Sequence, residues 1–340
     1  MKRLLSIIIA AVLTAGLLAA CGSGERSGHD PQNTDKLNIV VTIFPIYDWT
    51  MQILGESADD AEVSLLLDNG VDMHSYQPSV EDIAKISTSD LFVYVGGESD
   101  EWVDEILRQA KNPDLTVINL LDILGDFLEE EEHIEGMQEV RGEHEEHEEH
   151  EAHEEEEEPE YDEHVWLSLR NAQLLCSAIA KQLTVLDPDK ASQYRTNLDN
   201  YCEQLKGLDE AYKTMKEQAA FKTLVFADRF PFLYLLKDYD IEYYAAFAGC
   251  AAEAEASFET IIFLVSKVNE LSLPAVMTID GSDQKLAETV AATTETKDQK
   301  ILVLDSLQSV TRKELQEGIS YLSVMEENLS VLETALNGGQ

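Results

Sequence analysis

Basic side chains are scarce in this sequence: 24 Lys and Arg stand against 67 Asp and Glu, a formal net charge of −43. Phosphate neutralisation needs a basic face, so nucleic acid is excluded as a partner and cations are favoured. Cysteine is scarce too, with four in 340 residues and no Cys-x-x-Cys. That argues against a thiolate metal site. Cys176, Cys202 and Cys250 are widely spaced and read as small buried apolar residues, with a Cys176–Cys202 disulfide left open. Long apolar runs are missing beyond residue 18, which excludes a polytopic membrane protein. What is present is a hydrophobic content of 44 %, enough for a sizeable core and too much for a wholly disordered acidic chain. The length suits about two domains.

The charge is uneven. Between Glu129 and Glu163 stand 20 acids and one base, Arg141, so 35 residues carry −19 of the −43 and the other 305 carry −24. The extreme composition therefore belongs to one insert. Dense like charge predicts that residues 129–163 are disordered.

Met1-Lys2-Arg3 precedes an apolar run over residues 4–18, and Leu18-Ala19-Ala20-Cys21 follows. This is a secretion signal. It is similar to bacterial lipoprotein signals, in which the cysteine becomes the lipidated first residue, here Cys21. Residues 1–20 read as signal peptide and residues 21–36 as an aperiodic tether with a reach of roughly 20 Å.

Beyond the tether, apolar strands alternate with helical spacing. Strands are expected at 37–43, 61–67, 91–95 and 115–120, and again at 223–226, 241–247, 275–279 and 301–304. Helices are expected at 79–88, 100–110, 169–183, 230–239, 257–271, 283–293 and 312–336. Asp187-Pro188 opens a helix that runs to about Gln218, with apolar positions at Tyr194, Leu198, Tyr201, Leu205, Leu208 and Tyr212. The fold class is therefore α/β: two similar lobes, each a mainly parallel sheet flanked by helices, joined by one long linking helix. The boundaries are 37–185 for the first lobe, 186–220 for the linking helix and 221–340 for the second lobe. Ligands of open parallel sheets gather where loops leave the strands' carboxyl ends, so the site belongs in the cleft between the lobes.

The eight histidines are not scattered. His29 is in the tether. His133, His144, His147, His150 and His153 are in the insert, where Glu143-His144-Glu145-Glu146-His147-Glu148-Glu149-His150 places His every third residue among acids. This is a flexible array of weak metal-collecting sites, and its His-x-x-His spacing is not the His-Glu-x-x-His of zinc peptidases. The last two stand in distinctive segments: Asp72-Met73-His74-Ser75-Tyr76-Gln77-Pro78-Ser79 and Asp162-Glu163-His164-Val165-Trp166-Leu167-Ser168.

These two segments, in this order and separated by an acidic histidine-rich loop, resemble those of the substrate-binding lipoproteins of zinc and manganese ABC transporters. The resemblance covers essentially the whole chain after the signal. It implies that His74 and His164 are metal ligands from the first lobe and that the second lobe supplies two more. Asp280, in Thr278-Ile279-Asp280-Gly281, stands where the family has a carboxylate ligand. The remaining family ligand is a histidine or glutamate, in a segment like Phe-His-Asp-Ala-Phe-Gly-Tyr. This chain has Phe226-Ala227-Asp228-Arg229-Phe230-Pro231-Phe232, and Ala227 cannot bind metal. Asp228 is the natural substitute, with Glu253 and Glu255 as alternatives. Two histidines with two carboxylates make a harder donor set than three histidines, leaning towards manganese or iron; the insert leans towards zinc.

The resemblance implies a non-enzymatic, monomeric receptor anchored outside the cytoplasm through Cys21. It would capture a divalent ion, Zn2+ foremost and Mn2+ or Fe2+ otherwise, for an ABC permease and its ATPase. A surface metal-buffering or adhesion lipoprotein without a transporter is the alternative from another class.

Overall fold

The structure, a computed structural model, describes residues 36–138, 160–249 and 255–338. The described residues form two four-stranded parallel sheets. The first contains β1 (Leu37–Val41), β2 (Ala61–Leu65), β3 (Leu91–Tyr94) and β4 (Thr116–Asn119) in the order β2-β1-β3-β4. The second contains β5 (Thr223–Phe230), β6 (Glu242–Ala248), β7 (Ala275–Ile279) and β8 (Lys300–Leu304) in the order β6-β5-β7-β8. The two orders are the same, so the lobes repeat one topology that leaves no obvious trace of repetition in the sequence. In each lobe the strand order reverses beside the first strand, and parallel α/β sheets place their ligand loops at such a point.

The linking helix is Ala191–Gln218, opened by a 3-10 turn at Pro188–Lys190. It buries Tyr194, Tyr201, Leu205, Leu208, Tyr212 and Met215 along one face. That face touches both lobes. Asn197 Nδ2 donates to the Ile53 carbonyl at 2.9 Å and the Tyr212 hydroxyl to the Met325 carbonyl at 2.6 Å. One apolar core follows the helix from Ile39 and Phe92 in the first sheet to Phe226 and Met277 in the second. A second cluster, including Val225, Ala227, Val276, Leu264 and Val290, covers the far face of the second sheet. Both lobes belong to one compact unit, Leu37–Gln340.

Three local features depart from the sequence expectations. Phe44–Leu54 is a helix, with Pro45 in its first turn, where a missing N–H costs nothing. Its buried and half-buried side chains hide the helical period. The helix expected over 312–336 breaks at Gly318 (φ 85°) into Arg312–Glu317 and Tyr321–Asn337. The disorder expected over 129–163 does not reach the insert's ends. Glu130 bridges Tyr161, and the Glu131 amide donates to the Glu160 carbonyl at 2.9 Å. Gln138 also donates its amide to the Ala246 carbonyl at 2.9 Å. Backbone pairing outweighs charge repulsion at these stems; residues 139–159 lie outside the described residues. Cys176 and Cys202 are free thiols, so the disulfide left open between them is not formed. Among the described residues no helix is long and apolar enough to cross a membrane.

The lobes are tied at two levels. Deep in the core, the buried Asp48 Oδ2 accepts from the Tyr321 amide at 3.2 Å and from the Tyr201 hydroxyl at 3.3 Å. The Tyr321 hydroxyl donates to the Trp166 carbonyl at 2.7 Å, and the Trp166 indole N–H to the Ser306 carbonyl at 2.9 Å. Nearer the cleft, Asn69 pairs with Thr311, the Gly70 amide donates to the Val310 carbonyl at 3.2 Å, and Arg312 Nε reaches Asp68 at 2.6 Å. The loop that carries His74 is thereby strapped to the second lobe at its start.

Tyr321→Phe removes the buried donor that satisfies the Trp166 carbonyl. Leaving that acceptor unpaired is expected to cost on the order of 1–3 kcal/mol. Scanning calorimetry should show the melting temperature lowered by about 2–4 °C for each kcal/mol lost; an unchanged melting temperature would refute this weight for the tie.

Candidate metal centre

His74 owes its position to a short capped turn. Asp72 Oδ1 accepts the His74 N–H at 3.0 Å and starts the turn Met73–Ser75. Ser79 and Asp82 then form a capping box that opens the helix Val80–Thr88. His164 is placed in the same way, its N–H donating to Asp162 Oδ1 at 2.8 Å, and it is fully buried. The two imidazoles meet nose to nose, Nε2 to Nε2 at 3.1 Å. Two nitrogens on one tetrahedral zinc, each at 2.0–2.1 Å from it, lie roughly 3.3–3.4 Å apart. The pair is therefore within a few tenths of an ångström of the spacing that one shared ion requires.

The far nitrogens set the tautomers. His164 Nδ1 lies 3.0 Å from Asp162 Oδ1, and an ionised carboxylate only accepts, so Nδ1 carries the hydrogen. His74 Nδ1 lies 2.7 Å from Ser99 Oγ and 3.7 Å from Glu163 Oε2. A 3.1 Å contact between the two Nε2 atoms is closed by one hydrogen carried on one of the rings. Burial pushes the His74 pKa down to about 4, helped by the neighbouring His164. Burial also acts against charge on His164, but Asp162, by its charge and its hydrogen bond, outweighs that and raises the pKa. Of the two rings, His164 therefore holds a shared proton more readily. A divalent ion there would replace that proton and use both lone pairs, the carboxylate–histidine–metal arrangement.

Two glycines make room for this. At Gly97 (φ 81°) a Cβ would stand 2.2 Å from Glu163 Oε1. The Ser99 amide donates to that same oxygen at 2.9 Å. Burial raises the Glu163 pKa. At Gly249, where β6 ends, a Cβ would meet the Phe230 carbonyl at 2.9 Å and His164 Cε1 at 3.1 Å.

The second lobe faces the pair with carboxylates and a cation. Asp280 follows β7 and accepts from the Ser306 N–H and hydroxyl, both at 2.7 Å on Oδ1. Burial raises its pKa, with Asp72 adding repulsion. Asp305 beside it is pushed up to about 7 by burial and then by Asp280. Asp228 has both oxygens engaged within its own lobe: Oδ1 accepts the Arg229 N–H at 2.9 Å, and Oδ2 accepts the Thr278 hydroxyl at 2.5 Å. Ala227 belongs to the apolar cluster on the far face of the sheet.

The structure thus brings His74 and His164 together. Among the described residues no group of three or more His, Cys, Asp or Glu side chains is gathered closely enough to hold an ion. Asp280 and Asp228 stand apart from the pair by that measure. Glu255 is exposed. Glu253, Cys21 and the insert's His144, His147, His150 and His153 lie outside the described residues. The sequence reading missed Ser99, Asp162 and Glu163 as supports, although Asp162-Glu163 sits directly before His164. It also missed Arg229 as a cleft residue: rather than pairing with the adjacent Asp228, its Nη2 reaches Asp72 of the other lobe at 2.9 Å.

A family model described as zinc-uptake complex component A, periplasmic, matches residues 39–335. The chain belongs to this family. The zinc-binding lipoprotein AdcA of Streptococcus pneumoniae serotype 4 is 33 % identical over 332 residues, 98 % of this chain. This chain spans 60 % of the length of that relative. The high-affinity zinc uptake system protein ZnuA of Bacillus subtilis is 30 % identical over 320 residues, 94 % of each chain. Among solved structures, the Zn(II)-bound ZnuA-like domain of S. pneumoniae AdcA superposes with a TM-score of 0.67 at 30 % identity. That match covers 90 % of this chain and 100 % of the domain. The two-lobed α/β architecture with a long linking helix is thus that of zinc-uptake component A.

Nitrogen NMR of the protein in chelator is expected to show His164 titrating above the ordinary histidine range and His74 near pH 4. Asp162→Asn removes the anion that raises His164, so the His164 titration should move down. If both rings titrate as free histidines, the shared-proton geometry is wrong.

Proposed function

We propose that this protein is an extracytoplasmic receptor that captures a divalent transition metal, Zn2+ foremost, and hands it to an ABC permease driven by its ATPase. The observation that carries the reading is the buried His74–His164 pair, with its Nε2 atoms 3.1 Å apart and each Nδ1 held by a polar partner. Membership of the zinc-uptake family and the likeness to a zinc-bound relative support the choice of metal. His74, His164 and Asp280 are the proposed ligands. Asp280 presents a carboxylate from the second lobe, and the Ser306 bonds on one oxygen aim it. Asp228, the substitute expected for the missing histidine, is assigned here to bracing β5 against β7 through Thr278. Capture and release make or break no covalent bond in the cargo, so the role is transport rather than catalysis.

Attachment to the membrane surface through a lipid on Cys21, action as a monomer and metal collection by the insert are part of the same proposal. The signal-like start supports the first and the acid–histidine repeat the last. A manganese or iron receptor of the same fold is the second reading, favoured by Ala227 standing where a third imidazole would be.

The test is titration calorimetry of the chelator-stripped protein with zinc and with manganese, alongside His74→Ala. One tight zinc site, lost in the variant, with weak manganese binding is expected. A protonated imidazole cannot ligate, so zinc binding should release any protons that the rings hold and weaken as pH falls, read from heats in buffers of different ionisation enthalpy. Tighter manganese than zinc would move the assignment to the second reading, and no tight site would end it.

A further inference from the structure

The donor set is short of one member, and the turn that carries His74 also carries a carboxylate held by a cation, which must leave that cation to join the pair. Asp72 lies two residues before His74 on the same turn, with Oδ1 committed to the His74 amide and Oδ2 to Arg229 Nη2 at 2.9 Å. Arg229 comes from the other lobe. The pairing of β5 with β6 slips between Phe226 and Arg229, and such a bulge re-aims a side chain at a strand's end. The pair is neither a surface contact nor sealed, with side chains 20 % exposed for Arg229 and 16 % for Asp72. Asp72 also bears electrostatically on His74, on His164 and on Asp280.

Building on the metal-receptor reading, we propose that Asp72 is the carboxylate that completes the metal site, and that Arg229 is its tethered counter-cation, displaced when the divalent ion takes the carboxylate. The donor chemistry agrees. Two neutral imidazoles with Asp72 and Asp280 make a four-donor set whose two negative charges match a doubly charged ion. Asp228 cannot serve as cheaply, because freeing it breaks its bonds to the Arg229 amide and the Thr278 hydroxyl. Freeing Asp72 Oδ2 breaks one ion pair and keeps the His74 cap on Oδ1. The exchange also gives release a route: the returning guanidinium competes with the ion for the same oxygen.

The experiment measures zinc affinity by competition with a chromophoric chelator for the wild type, His74→Ala, Asp72→Asn, Arg229→Gln and the Asp72→Asn/Arg229→Gln double variant. X-ray absorption at the zinc edge reads the oxygen donors. Asn keeps the cap acceptor, and thermal melts in chelator check that each variant is folded. Asp72→Asn should weaken zinc by at least about tenfold and remove one carboxylate oxygen from the zinc shell. Arg229→Gln should tighten zinc in the wild-type background and have no effect once Asp72 is Asn. If Arg229→Gln weakens zinc, the pair merely straps the His74 loop and the inference falls. If it tightens zinc equally in both backgrounds, Arg229 acts only through its field and the exchange is overturned. Zinc held tightly, lost in His74→Ala and untouched in Asp72→Asn overturns this inference alone. No tight zinc in the wild type removes the receptor reading and the inference with it.

Discussion

The hydrogen bond from the Trp166 indole to the Ser306 carbonyl is the contact on which the geometry of the cleft depends. Trp166 lies two residues after His164, and its ring packs against that imidazole with centroids 5.2 Å apart. Ser306 is the residue whose N–H and hydroxyl hold Asp280. One bond therefore ties the segment of His164 in the first lobe to the segment of Asp280 in the second. Tyr321 secures it from behind by donating to the Trp166 carbonyl, and the Trp49 ring meets Tyr321 edge-on at 5.2 Å. The side chains of the cleft are thus mounted on a continuous apolar core rather than on two bodies joined by a flexible strap. Opening that core would strand buried polar groups, which leaves the loops and side chains at the mouth as the cheaper parts to move.

Electrostatics supplies the second constraint. Asp72, Asp280 and Asp305 share one neighbourhood, and burial and mutual repulsion raise Asp280 and Asp305. Arg229 offsets part of that repulsion and, with His74, holds Asp72 below the ordinary carboxylate range despite its burial. Such a cleft is unfavourable to anions and stabilised by any cation that reaches it. Asp162, Ser99 and Glu163 hold the two imidazoles in fixed orientation at its edge.

Much of this was legible in the residues. Continuous apolar runs such as those of β3 and β7 mark strands covered on both faces, and the tyrosine-rich period marks the linking helix. His74 and His164 stood out because each sits in a segment of distinctive chemistry. What escaped the reading depends on tertiary contact. Phe44–Leu54 is covered on nearly every side, so no amphipathic period shows. Gly318 inside a helical pattern was read through, yet its left-handed backbone ends one helix and lets Ser320 cap the next. The partner of Arg229 could not be found along the chain, because Asp72 is far off in sequence and only the folding of both lobes brings it near. Asp228 looked available for the same reason: Thr278, which binds it, is 50 residues away.

The Asp48–Tyr321 contact also bears on how the molecule comes into being. It joins residues 273 apart, near the two ends of the compact unit. A chain emerging amino end first exposes the helix Phe44–Leu54 long before the helix Tyr321–Asn337 that packs against it exists. The cover that this last helix gives the first lobe therefore cannot form until the end of the chain is out, and contacts of such separation form slowly. Until then Trp49 and its neighbours lack their final cover, and the unfinished chain is at its most vulnerable to aggregation and proteolysis.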